Sequence, residues 1–160
     1  MIQIYIRQLN AGEDAHQAGW TLLKEVIGER EIFFSAKGKP FLKEELFFNI
    51  SHSSHFVGFA VGKQEIGLDL EEPRPLPYTG YRHPEENEMD PLLLWVLKES
   101  FVKWTGEGVS ALRQTKIKPI GENLYEGEKD GKKAVLQTFR VGELIGALAT
   151  AEEQEFKIII

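Results

Sequence analysis

The spacing of apolar and polar positions changes several times along the chain, and each change marks an element. Residues 1–7, rich in Ile and Tyr, alternate with a period of two and predict a strand. From 13 to 27 the period lengthens. Ala15, Ala18, Leu22 and Val26 recur at three- and four-residue spacing, predicting a helix that Gly28 stops. Three short apolar runs, 47–51, 56–61 and 66–71, are separated by polar or glycine-containing turns and predict an antiparallel meander. The stretch from Glu72 to Pro77 breaks this pattern, because Pro73, Pro75 and Pro77 exclude helix and central strand. Residues 72–90 are therefore expected to be a loop or linker, acidic towards its end. Asp90-Pro91 then supplies a helix cap and a proline at the first helical position. That helix should run to about Thr105 and stop at Gly106. Strand-like pieces follow near 114–120, 122–127, 133–141, 144–150 and 155–160.

A faint repeat adds organisation. Phe56-Val57-Gly58-Phe59-Ala60-Val61 is similar to Leu144-Ile145-Gly146-Ala147-Leu148-Ala149. Each follows a helix-bearing segment and precedes a further strand. The expected fold class is α/β, of the α+β kind. It would be one domain over 1–160, built of two similar small halves at about 1–75 and 90–160 with the 72–90 linker between them. The second copy lacks counterparts of Asp69 and Glu71, so one site is expected.

Composition narrows the function. A chain of 160 residues with 42% hydrophobic and 11% aromatic residues has enough apolar material for a packed core. Its net charge of −6 runs against a general nucleic-acid binder. There are no cysteines, which removes disulfides, thiolate nucleophiles and sulfur-ligated metals. No stretch approaches the roughly 18 apolar residues of a membrane span. Met1 to Arg7 has neither a basic segment nor an apolar signal core. A cytoplasmic protein without membrane or nucleic-acid partners is expected, with a monomer favoured.

Candidate chemistry lies on two elements. In the strand 66–71, Gly67, Asp69 and Glu71 share one face and Ile66, Leu68 and Leu70 the other. The two carboxylates stand about 7 Å apart along the strand. They either face water on an amphipathic strand or share a cation, and without cysteine a hard ion such as Mg²⁺ or Mn²⁺ suits them. On the helix from Pro91, Glu99 and Lys103 are four apart and share a face with Trp95. They form either an exposed ion pair or the completion of a three-carboxylate metal site with a lysine for phosphate. His52, in the polar turn Ser51-His52-Ser53-Ser54-His55, either meets a phosphate oxygen or is a solvated turn residue. No Walker-type glycine loop and no Gly-x-Ser-x-Gly elbow is present, so Ser51 is not a credible acyl nucleophile.

Together these pieces resemble the Sfp-type 4′-phosphopantetheinyl transferases. Gly38-Lys39-Pro40, Phe48 to Ser53, Ile66 to Glu71 and Trp95 to Lys103 resemble successive family blocks in the right order, and Glu13-Asp14-Ala15-His16 resembles a segment opening the first long helix. The resemblance implies two similar α/β halves with a cleft between them. It implies transfer of the phosphopantetheine arm of coenzyme A to a serine of an acyl- or peptidyl-carrier protein, with release of adenosine 3′,5′-bisphosphate. By the same resemblance Asp69, Glu71 and Glu99 would hold Mg²⁺, Lys103 and His52 would bind phosphate oxygens, and Lys39 and Ser51 would contact coenzyme A. Glu99, or a water on the metal, would take the proton of the attacking serine.

The chain departs from the family pattern in three places. A basic N-terminal stretch is absent, Gln17 stands where relatives often carry an arginine for the 3′-phosphate, and the region between Glu72 and Trp95 is shortened. A non-catalytic relative that binds coenzyme A or a carrier protein is the alternative. An acidic carrier needs a local basic surface, for which Lys98, Lys103, Arg113, Lys116 and Lys118 are the candidates.

Overall fold

Two β-sheets lie face to face, and one helix covers the outer side of each. The computed structural model describes residues 1–43, 46–76 and 80–160. In chain order the elements are β1 (Ile2–Gln8), α1 (Ala15–Ile27), β2 (Ile32–Phe34), β3 (Pro40–Leu42), β4 (Phe47–His52), β5 (Phe56–Gly62), β6 (Gly67–Glu71), α2 (Pro91–Thr105), β7 (Lys116–Gly121), β8 (Leu124–Lys129), β9 (Lys132–Val141), β10 (Leu144–Thr150) and β11 (Phe156–Ile159). One sheet has the order β11-β1-β5-β4 and the other β6-β10-β9-β8-β7, while β2 and β3 form a separate hairpin. That hairpin has no counterpart among the expected elements, because three-residue strands are too short to display a period.

The helices begin and end where their caps dictate. The Asp14 carboxylate accepts from the Gln17 backbone N–H at 2.8 Å, and Gly28 closes α1 with φ of 77°. The Asp90 carboxylate accepts from Leu93 N–H at 3.0 Å, Pro91 follows it, and Gly106 ends α2 in the left-handed conformation. Burial then assembles the layers. Ala18, Leu22 and Leu23 of α1 pack on Phe48, Val57, Phe59 and Val61. Leu94, Leu97 and Phe101 of α2 pack on Ala134, Leu136, Ile145 and Ala147. Ile2, Ile4, Ile66, Leu68, Leu70, Leu144 and Leu148 fill the space between the sheets. Fully burying such a side chain contributes about 1.5–3 kcal/mol.

The meander does not form. β4 and β5 pair antiparallel as expected, but β6 leaves them and pairs antiparallel with β10, Asp69 opposite Ala147. The inner face of β6, with Ile66, Leu68 and Leu70 wholly buried, is satisfied between the sheets. Its other face needs α2, and only the second sheet carries α2. The exchange is reciprocal, since β11 follows β10 and crosses back to pair in parallel with β1. The two similar strands β5 and β10 are thus each followed by a strand that joins the other sheet.

Gly67 makes the α2 contact possible. A Cβ there would stand 2.0 Å from Ser100 O and 2.6 Å from Trp104 N, so only glycine lets the helix lie directly on β6. That approach sets Glu99 and Lys103 beside Asp69. Within the stretch expected as a linker, Pro77, Tyr78 and Thr79 lie outside the described residues. The rest is anchored. Tyr81 is buried edge-on against Trp95 and its hydroxyl donates to Pro91 O at 3.2 Å. A short 3-10 turn, Pro84–Glu86, buries Glu86. Among the described residues no helix is long and apolar enough to cross a membrane.

Candidate functional site

The site is built along the free edge of β6. As the edge strand of its sheet, β6 has one row of backbone groups without a strand partner, and such groups must be satisfied when buried. Side chains satisfy them. Leu68 N–H donates to Asn49 Oδ1 at 2.8 Å and Leu70 N–H donates to Ser51 Oγ at 3.0 Å. Asn49 and Ser51 are two apart on β4, matching the spacing of Leu68 and Leu70. Lys39 Nζ donates to Ile66 O at 3.0 Å, and Lys103 Nζ donates to Leu68 O at 3.0 Å. Three residues expected at the substrate, Lys39, Ser51 and Lys103, therefore also hold the strand that bears Asp69 and Glu71.

A cavity of about 540 Å³ opens over this edge. Ser51, His52, Asp69, Glu71, Glu99 and Lys103 all line it, together with Asn49, Arg74 and Trp95. Its other end is aromatic, formed by His16, Trp20 and Phe34, the last largely exposed on the β2–β3 hairpin. Six of the seven expected site residues thus converge from β4, β6 and α2. Lys39 is not among the lining residues. Its ammonium is turned to Glu65 at 2.9 Å, Ile66 O and Trp104 O, and burial lowers its pKa against the pull of Glu65. Gln17 is exposed and also outside the lining, whereas its neighbour His16 is part of it.

The electrostatics of the three acids differ. Asp69 is 7% exposed in its side chain and pairs with Lys103 at 2.9 Å through Oδ1, while its buried Oδ2 has no hydrogen-bond partner among the described residues. Burial pushes the Asp69 carboxyl up to about 7; Lys103 pulls it down, and Glu71 and Glu99 push it further up. Glu99 is raised for the same first reason, burial, with Lys103 opposing and Glu71 adding. Glu71 is held by three donors: Arg74 Nε at 3.0 Å, Arg74 Nη2 at 3.2 Å and Trp95 Nε1 at 3.1 Å. The carboxylates share a cavity, yet among the described residues no three His, Cys, Asp or Glu side chains stand as a ready-made metal-binding group. Lys103 draws Asp69 one way, and Arg74 with Trp95 draws Glu71 another.

His52 is the last residue of β4, opposite Val57, rather than part of the turn, and the turn that follows it is held by Glu72. Glu72 accepts from Ser53 Oγ at 2.6 Å and from His55 N–H at 2.7 Å, and its other oxygen meets His55 Nδ1 at 2.7 Å. His52 is exposed at the cavity rim. Glu13, at the start of the family-like segment of α1, is likewise occupied by Arg7 at 2.9 and 2.8 Å.

Sequence reasoning missed Asn49 and Arg74. Asn49 was findable as the polar residue two before Ser51 on the same face of an otherwise apolar strand. Arg74 follows Glu71 by three positions, but the prolines around it conceal any regular spacing. The basic surface needs one correction. Lys98 is fully buried and pairs with buried Glu86 at 2.8 Å, so it contributes nothing to an exposed patch. Arg113, Lys116 and Lys118 are exposed.

No protein-family model matches the chain. Individual proteins do. It is 36% identical over 124 residues to the 4′-phosphopantetheinyl transferase ffp of Bacillus subtilis, covering 61% of this chain and 55% of that protein. Over the same length and coverage it is 34% identical to the 4′-phosphopantetheinyl transferase Sfp of Bacillus subtilis strain 168. The chain is similar to Sfp-type 4′-phosphopantetheinyl transferases over 58–61% of its length. The likeness extends beyond Bacillus, with 30% identity over 130 residues to the 4′-phosphopantetheinyl transferase HetI of Nostoc. The chain spans about half the length of the curated relatives it matches, 55% in each of these three. Its mixed α and β architecture agrees with the fold class expected of such a transferase.

Proposed function

We propose that the protein transfers the 4′-phosphopantetheine group of coenzyme A to a serine of an acyl- or peptidyl-carrier protein, with Mg²⁺ or Mn²⁺ in the site. The observation that carries this reading is the convergence of Ser51, His52, Asp69, Glu71, Glu99 and Lys103 on one cavity from three separate parts of the chain.

The donor set fits a hard cation. It offers three carboxylates and no sulfur, and the buried Asp69 Oδ2 lacks a hydrogen-bond partner among the described residues. Asp69, Glu71 and Glu99 would hold the ion, which when bound supplies charge neutralisation at the pyrophosphate and at the leaving nucleotide oxygen. The other roles fall to side chains. Lys103 exchanges one of its three internal contacts, to Ser51 Oγ, Leu68 O or Asp69, for a phosphate oxygen. His52 meets the phosphates from the rim. The aromatic end with Trp20 and Phe34 receives the apolar faces of the ligand. The carrier serine oxygen attacks the phosphorus nearer the pantetheine, and the bond from that phosphorus to the nucleotide oxygen breaks. Glu99, raised by burial, accepts the serine proton more readily than an ordinary carboxylate. Positioning and charge neutralisation account for most of such a reaction.

The test is incubation with coenzyme A, Mg²⁺ and a panel of apo carrier proteins, read by intact mass. A carrier that gains one phosphopantetheine group supports transfer. A second reading, a relative that binds coenzyme A or a carrier without turnover, is favoured by the internal contacts that occupy Lys103 and Glu71. Binding by calorimetry with no mass gain on any carrier would select it.

A further inference from the structure

Arg74 places a positive charge where the proposed metal reading needs one of its ligands free. Its guanidinium forks onto both oxygens of Glu71, and Trp95 Nε1 adds a third donor. An ionised carboxylate offers about four lone-pair positions, so three are already taken. Trp95 organises both partners, since its N–H holds Glu71 while its ring lies 5.8 Å from the Arg74 guanidinium. Lys103 does the same service for Asp69. Two of the three acids thus carry a resident cation, which offsets their mutual repulsion.

The two resident cations differ in how they are held. Lys103 is anchored by the backbone of β6 and by Ser51 as well as by Asp69. Among the described residues Arg74 hydrogen-bonds Glu71 and lies over the ring of Trp95, with Asp69 and Glu99 adding only longer-range attraction, and its side chain is 39% exposed. An adjoining cavity of about 390 Å³, also lined by Arg74 with Leu76, Asp90 and Leu92, gives it room to swing away.

We propose that Arg74 is a displaceable stand-in for the divalent cation. It occupies Glu71 while the metal is absent and must leave that carboxylate for the metal to enter. The inference rests on the metal-dependent reading of the site. Arg74 then sets the metal concentration at which the site loads, a role separate from contact with the reacting atoms.

The test is Mn²⁺ titration of the full chain without coenzyme A, at fixed ionic strength, following free Mn²⁺ by its electron paramagnetic resonance signal. Arg74→Gln should bind Mn²⁺ about tenfold more tightly than wild type, the scale of losing one charge-assisted fork. Arg74→Lys keeps the charge but not the fork, and should fall between the two. If both variants bind Mn²⁺ as wild type does, or more weakly, the stand-in role is overturned while the metal site stands. If Arg74→Lys matches wild type and only Arg74→Gln tightens, the effect is one of net charge, and direct competition is overturned. If neither wild type nor variants bind Mn²⁺, the metal reading and this inference fall together.

Discussion

Lys98 and Lys103 stand on the same helix, and each meets a buried carboxylate. Lys98 pairs with Glu86 at 2.8 Å, both fully buried, and its ammonium also donates to Tyr81 O. Glu86 uses its remaining capacity on His83 N–H at 2.8 Å and Ile117 N–H at 2.8 Å. Both oxygens of Glu86 are thus taken, and the cluster pins the 80–90 segment to α2 and β7. Lys103 pairs with Asp69 at 2.9 Å, but it borders an open cavity and the second oxygen of Asp69 has no hydrogen-bond partner among the described residues. Five residues along a helix turn the side chain by about 140°, enough to send one lysine into the fold and the other to the site. A saturated pair works as a staple, whereas an unsaturated one retains the capacity to take a ligand.

The comparison breaks most sharply by substitution of each lysine. Lys98→Met leaves Glu86 buried without its counter-ion and should cost about 3–5 kcal/mol of unfolding free energy, the scale for breaking one side of a buried pair. Lys103→Met should cost clearly less, because Asp69 already binds a proton readily near neutral pH. Urea unfolding of both variants at pH 7 measures the difference. Equal losses would show that the two pairs are not different in kind.

Solution pH separates them next. The Asp69 carboxyl is raised from 3.8 to about 7 in the folded chain. Its contribution to stability is therefore fully present below about pH 4, and falls as pH rises towards 7, because the unfolded chain releases the proton first. Without divalent metal, wild type should lose stability relative to Asp69→Asn by on the order of 2 kcal/mol between pH 5 and pH 8. Parallel pH profiles for the two proteins would mean that Asp69 is not under strain.

Much of this was legible in the sequence, and the boundary has physical causes. The first helix was readable from its three- and four-residue spacing and its stop at Gly28, the second because caps are local chemistry: Asp90, Pro91 and Gly106. The acids of β6 were readable because a period of two puts Asp69 and Glu71 on one face. Alternation does not say which sheet a strand joins, so the exchange of β6 and β11 was hidden. The two lysines of α2 look alike as charges. Yet Lys98 falls between Leu94, Leu97 and Phe101 in the apolar stripe, a position that a solvated lysine does not choose. The stitching of the β6 edge by Asn49, Ser51, Lys39 and Lys103 depends on contacts between distant segments, which no local pattern encodes.

At the unsaturated pair, removing a charge should cost chemistry and leave the fold intact. Glu99→Gln keeps the shape of the side chain but removes a proposed metal ligand and the proposed base. Turnover on an apo carrier should drop by at least about 10²-fold, or 2.7 kcal/mol. Unfolding free energy should stay level or rise, since burial and Glu71 disfavour the charge that is removed. Unchanged transfer would assign the base elsewhere. A collapse in stability would place Glu99 with the staple at Glu86.

The smallest effect tests the ground between the two pairs, where a side chain serves as a substitute strand. Asn49 Oδ1 accepts from Leu68 N–H at 2.8 Å in a buried setting. Asn49→Ala leaves that donor unpaired, and a buried unsatisfied group costs about 1–3 kcal/mol. The loss should be local before it is global. Amide hydrogen exchange should quicken at Leu68 more than at Leu148, whose strand β10 is paired on both sides. The Leu70 amide, held by Ser51 at 3.0 Å, should keep more of its protection than Leu68. An equal loss of protection at all three would mean that the edge opens as one unit with the sheet, and the side-chain stitches would then not hold β6 one residue at a time.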